Sequence, residues 1–150
     1  MFVMILRFTS HNRNQGFSMG KKTIELLPMI DPKTCHSAIG EILEYIHERY
    51  YENISFCALA NKLHFSKNYL SCLFHRETGQ NFRNYLMQCR IRHALALLDS
   101  GNFKIKEVAL QTGFCDPAYF SRIFKSFVGV SPTQYVTFGL SAKDFEGATR

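Results

Sequence analysis

No stretch of this sequence is long and apolar enough to cross a membrane. The longest candidate, the opening MFVMILRF (1–8), is too short to span, is interrupted by Arg7 and has no basic stretch before it, which disfavours a secretory signal. The expectation is a cytoplasmic protein with no membrane partner. No C-x-x-C pair occurs among the cysteines at 35, 57, 72, 89 and 115, and none stands at zinc-finger spacing from a histidine pair. An odd count without such spacing disfavours a disulfide framework, and no metal or cofactor is expected. Four of the five fall in apolar helical patterns, where a thiol behaves as a small hydrophobe, and packing roles are expected for Cys57 and Cys89. Also missing is a convergent set of acid, base and nucleophile. Cys72 and His75 lie three apart on one helical face, but no third group orients them. An enzyme is therefore disfavoured.

Nothing in the composition indicates disorder: 46% of residues are apolar and 20% charged, and 150 residues suffice for one domain with a real core. Acidic residues become scarce in one region only. Residues 1–52 hold six charges of each sign and 136–150 hold two of each, while 53–135 carry ten basic residues against four acidic ones. The whole net charge of +6 is thus confined to that middle stretch, the footprint of a polyanionic partner.

The same stretch repeats itself. FSKNYLSCLFHRETG (65–79) and FCDPAYFSRIFKSFVG (114–129) align at an offset of 50, so that Tyr69, Leu70, Ser71, Leu73, Phe74 and Gly79 meet Tyr119, Phe120, Ser121, Ile123, Phe124 and Gly129. Upstream the offset falls to 49, from Ala60 to Ala109, which puts one extra residue in the turn of the second copy. Two copies are too few for a solenoid or propeller. They mark an internal duplication.

Each copy reads as a pair of helices. Tyr69, Leu70, Leu73 and Phe74 form one stripe opposite Lys67, Asn68, Ser71, Cys72 and His75. In the second copy Tyr119, Phe120, Ile123, Phe124 and Phe127 face inward, opposite Pro117, Ala118, Ser121, Arg122 and Lys125. Because the aromatics fall on the buried period, they are expected to be core and not base-stacking platforms. Ser66 and Asp116-Pro117 supply start signals, and Gly79 and Gly129 supply stops. Shorter helices, SFCALANKLH (55–64) and IKEVALQTG (105–113), precede the two long ones across a break of three or four residues, the helix-turn-helix pattern. Between the units, Asn81 opens a helix carrying Phe82, Tyr85, Leu86, Cys89, Ala94, Leu97 and Leu98, which Ser100-Gly101-Asn102 ends. At about 17 residues it would be a rod roughly 26 Å long. Such a rod could hold two reading heads about one duplex turn, ~34–36 Å, apart. The expected fold is all-α: two helix-turn-helix subdomains joined by a long linker helix, about seven helices in all.

From Ser37 to Tyr135, about two thirds of its length, the chain resembles the DNA-binding domain of the AraC/XylS transcription regulators. The segments that carry the resemblance are LANKLHFSKNYLSCLFHRETGQNFRNYL, RIRHALALL and VALQTGFCDPAYFSRIFKSFVGVSPTQY. It implies sequence-specific binding of double-stranded DNA that recruits or positions RNA polymerase, in a bacterial regulator, most often an activator. The residues placed on the DNA are Lys67, Asn68, Ser71, Cys72 and His75 in the first unit and Ala118, Ser121, Arg122 and Lys125 in the second. Two departures stand out: Cys72 occupies a position where many members carry a long polar or basic reader, and Val136 follows Tyr135 where arginine is usual. The few residues before the first helix leave no room for the ligand-binding barrel of many members, which implies a stand-alone or truncated form.

The resulting domain plan is an N-terminal arm (1–34), the DNA-binding unit (35–138) and a short tail (139–150). In the arm, MFVMILRF is a candidate strand, the stretch after it is loop-like, and Met19 is an alternative start. The first helix is expected from Cys35 to Tyr51 with Ile39, Ile42, Leu43 and Ile46 inward. Arg90 shares a face with Leu86, Ala94 and Leu97, which favours a structural ion pair over a DNA contact, whereas Arg92 remains a phosphate candidate. Lys104 and Lys106 oppose the dipole of the helix they open, a misfit that favours phosphate. His36, His47 and His64 carry no evident role. With two heads in one chain, a monomer suffices for a two-groove site, and a dimer stays open. The rival reading is a helical interaction module that acts through a transcription partner without specific DNA binding of its own.

Overall fold

The structure, a computed structural model, describes residues 29–141. The expected strand at 1–8, the loop after it, the alternative start at Met19 and most of the tail lie outside those residues. Within them the chain is all-α, with seven helices: α1 (Ser37–Arg49), α2 (Phe56–Lys62), α3 (Lys67–Thr78), α4 (Phe82–Asp99), α5 (Ile105–Gln111), α6 (Pro117–Val128) and α7 (Pro132–Thr137). A 3-10 turn over Pro32–Thr34 precedes them and packs on α1. Met29 and Ile30 also pack against the core, so this end of the expected arm belongs to the folded body.

Side-chain caps set most helix starts. Ser55, Ser66, Asn81, Asp116 and Ser131 each accept a hydrogen bond from an N–H in the first turn that has no partner within the helix. Gly79 and Gly129 end α3 and α6 in the left-handed conformation, at φ of 72° and 86°. The turn between α5 and α6 is one residue longer than that between α2 and α3, as the change of offset requires. The left-handed position of each turn is filled by His64 (φ 57°) in the first and Gly113 (φ 83°) in the second.

The linker helix is not an exposed rod. Every residue from Tyr85 to Ile91 is buried, because α1 and α3 pack on α4 from one side and α5 and α6 from the other. A helix segment enclosed all round, as 85–91 is, shows no single stripe, which is why Met87, Gln88 and Ile91 escape a periodicity reading. Two aromatic clusters flank it. Phe56, Phe74, Phe82 and Tyr85 meet edge-to-face or tilted in the first unit, and Phe114, Phe120, Phe124 and Tyr135 do so in the second. The Tyr135 hydroxyl donates to Asp99 at 2.7 Å and fastens α7 to the end of α4.

Several expectations need correction. The first helix begins two residues later than Cys35 and ends at Arg49. Cys57 is exposed on the outer side of α2, since Leu59 and Ala60 face the core, and Cys35 is only half-buried; Cys89 alone among the described cysteines is buried. Arg90 is structural, but its partners are backbone carbonyls and not a carboxylate: Tyr50 at 2.7 Å, Glu52 at 2.7 Å and Gly113 at 2.9 Å. The histidines have roles. His36 caps α1 through its ring nitrogen, and His64 fills the left-handed turn. His47 is hydrogen-bonded to the Tyr85 hydroxyl at 3.0 Å.

His93 lies flat on Tyr50, with ring centroids 3.8 Å apart and planes 3° apart. Partial burial pushes His47 below the ordinary imidazole pKa, with Glu44 opposing; His93, covered on one face by Tyr50 but still exposed to solvent, is lowered by desolvation and then by His47, and contributes the smaller share. The folded state therefore disfavours protonation, and the unfolded chain takes up protons first. Stability is expected to be full above about pH 6.5 and to fall as the pH drops through it. Thermal unfolding from about pH 7.5 down to about 5.5, above most carboxylate titration, checks this. The double variant His47→Gln, His93→Gln should give a flatter profile.

Candidate nucleic-acid interface

The inward residues of each long helix decide which residues remain outside. Leu70, Leu73 and Phe74 anchor α3, and Phe120, Phe124 and Val128 anchor α6. Lys67, Asn68, Ser71, Cys72 and His75 are consequently all exposed on one side of α3. On α6, Ala118, Arg122 and Lys125 are exposed, while Ser121 is half-buried and its hydroxyl donates to the Pro117 carbonyl at 2.9 Å. Ser121 would have to release that bond to donate to a base edge, whereas Ser71 is exposed to solvent. The ion pairs among the described residues, Arg49–Glu52 and Arg76–Glu77, involve none of these nine side chains.

Tyr69 departs from the expected buried stripe: it is 53% exposed and stacks on Phe65. Its position explains this, because one residue before Leu70 it points about 100° away around the helix, at the edge of the buried arc. Tyr119, its counterpart, is half-buried. Its hydroxyl accepts a bond from Arg83 at 3.1 Å, and the Arg122 guanidinium lies over its ring at 5.8 Å from the centroid. Asp116, six residues before Arg122, accepts from the Ala118 N–H as the cap of α6.

Arg83 lies outside the two polar stripes that the sequence pattern marks out. It lies exposed in the first turn of the linker helix and reaches the second recognition helix through Tyr119. Its proximity depends on how α4 and α6 pack, which no local pattern encodes. At α5 the electrostatic misfit is smaller than expected, because Glu107 accepts the Lys104 N–H at 2.8 Å and places a negative charge in the first turn. Lys104 and Lys106 are exposed, while Arg92 is half-buried. No described helix is long and apolar enough to cross a membrane.

Two outward polar faces on duplicated helix-turn-helix units are thus held on one linker helix whose middle is buried between them. Residues 59–137, which span both units, match the family model described as "Helix-turn-helix domain". The chain belongs to the AraC-type regulators. The chain is similar to the uncharacterized HTH-type transcriptional regulator YijO of Escherichia coli (strain K12), 39% identical over 94 residues, covering 63% of this chain and 33% of that protein. The chain thus spans about a third of the length of that curated relative. Among solved structures, the C-terminal domain of the two-component response regulator yesN from Fusobacterium nucleatum is 35% identical with a TM-score of 0.63, over 67% of this chain and 99% of that one. The DNA-binding domain of AdpA, solved in complex with a target DNA, is 25% identical with a TM-score of 0.63, over 67% of this chain and 91% of that one. The AraC-type family is one of DNA-binding transcription regulators and not of enzymes, and this chain carries its helix-turn-helix DNA-binding domain.

Proposed function

We propose that one chain reads an asymmetric DNA site across two successive major grooves, with α3 in one groove and α6 in the next. The carrying observation is the pair of exposed polar faces, Lys67 to His75 and Ala118 to Lys125, on two units that both pack on α4. Ordinary helix-turn-helix proteins obtain two heads by dimerising; covalent duplication supplies both, so the site need not be palindromic. The DNA-binding unit runs over 35–138. Within a bacterial cytoplasm, its role is activation through contact with RNA polymerase. Footprinting on the best duplex selected from a randomised library tests the binding mode. Protection of two adjacent major grooves by a monomer supports it, whereas a single protected groove, or a palindrome requiring two chains, would sink it. Absence of any selected sequence would favour the interaction-module reading.

Within this mode, Lys67 opens α3 and Lys125 lies in the last turn of α6, where side chains meet the flanking backbone. Lys67→Ala or Lys125→Ala is expected to weaken binding to all sequences alike and to lower the salt slope by about one unit. Equal slopes for wild type and both variants would remove these lysines from the phosphate contacts.

A further inference from the structure

We infer that Arg90 is the positioning residue that fixes the separation and relative orientation of the two recognition helices. Its three carbonyl partners come from both halves of the fold. Tyr50 and Glu52 lie in the loop between α1 and α2 of the first unit, and Gly113 lies in the turn of the second, while Arg90 itself stands in the middle of α4. One planar guanidinium therefore joins three backbone segments, and the Phe114 ring of the second unit lies 5.5 Å beneath it. Only 7% of the residue is exposed. The two backbones it joins are also close to each other: a Cβ at Gly113 would sit 2.5 Å from the Tyr51 carbonyl oxygen.

Removing a cation from water and matching it with neutral carbonyls alone is an expensive way to gain stability. The arrangement is better suited to fixing geometry, since a guanidinium bound to three carbonyls tolerates little displacement of any of them. The geometry matters to DNA reading. A rotation of about 10° between the units, acting over half a duplex turn (~17 Å), would shift a reading helix by ~3 Å and break bidentate base contacts. This consequence rests on the two-groove reading; the positioning role does not.

The test begins without DNA. Spin labels at Cys72 on α3 and at Ser126→Cys on α6 report the distance between the recognition helices, with Cys35, Cys57 and Cys115 changed to Ser and buried Cys89 retained. The Arg90→Lys and Arg90→Met variants are expected to keep their helical circular dichroism while the distance distribution broadens or its maximum shifts. An unchanged distribution in a folded variant would overturn the inference. So would loss of folding in both variants, which would make Arg90 a support of the whole domain. On the selected duplex, one base pair inserted between the half-sites should weaken wild-type binding about tenfold or more, and the ratio should fall toward one in the folded variants. If the wild type ignores the insertion, the two-groove reading fails, and the label distances still decide the role of Arg90.

Discussion

Gly113→Ala is expected to destabilise the domain by about 2–5 kcal/mol. Two independent costs act at one position. The residue sits at φ 83°, where an L side chain crowds its own carbonyl. The added carbon would also meet the Tyr51 backbone, with the oxygen at 2.5 Å and the carbonyl carbon and Cα at 2.8 Å. No rotamer change relieves a collision with backbone, so the α1–α2 loop has to move away from the second turn. A fall in melting temperature of about 10 °C or more, followed by circular dichroism, is the expected readout. The equivalent turn in the first unit holds His64 at φ 57°, where only the conformational cost applies. His64→Gly should therefore stabilise modestly, by about 1 kcal/mol at most. A mild effect of Gly113→Ala, comparable with changes at His64, would mean that the loop yields freely and that the two units are not closely joined there.

The same comparison shows what the sequence could and could not convey. Caps at Ser66, Asn81 and Asp116 and stops at Gly79 and Gly129 are local chemistry, and the structure has them where the sequence places them. The inward stripes of α3 and α6 follow from periodicity, apart from Tyr69, which its place at the edge of the arc leaves exposed despite its aromatic ring. The joint between the units was not legible. Arg90 looks like any arginine on an amphipathic helix until the Tyr50–Glu52 loop and the Gly113 turn are brought to it across separations of about forty and twenty-three residues. Neutral carbonyl partners leave no charge pattern to find, so an ion pair was the natural expectation. Arg83 escaped for the same reason: its partner Tyr119 lies 36 residues away. The nine candidate DNA contacts rest on exposure, and eight of them are exposed, with Ser121 half-buried.

Arg122→Ala is expected to cost about 1–3 kcal/mol on the preferred site and to relax the preference at one base pair. The two heads offer unequal chemistry. In the first, Asn68 can pair with adenine N6 and N7 and Ser71 can reach either kind of edge, but Cys72 is too weak a donor to specify a base. In the second, Ala118 offers at most a contact to a thymine methyl, and Ser121 is committed to the Pro117 carbonyl. Arg122 alone has the planar fork that matches guanine O6 and N7. Its surroundings favour that task. The guanidinium rests over Tyr119, the Arg83 bond holds the Tyr119 hydroxyl, and Asp116 is engaged as a cap. A guanidinium held over a ring face by a cation–π contact still has N–H groups free to donate and has less conformational freedom to lose on binding. Cys72→Ala, at the equivalent position of the first head, should cost far less. Binding measured on the selected duplex, on its single-base variants and on random DNA separates the possible roles. If Arg122→Ala weakens selected and random duplexes equally, its contact is with phosphate, and base specificity in the second groove has to come from the shape of the DNA and not from this side chain.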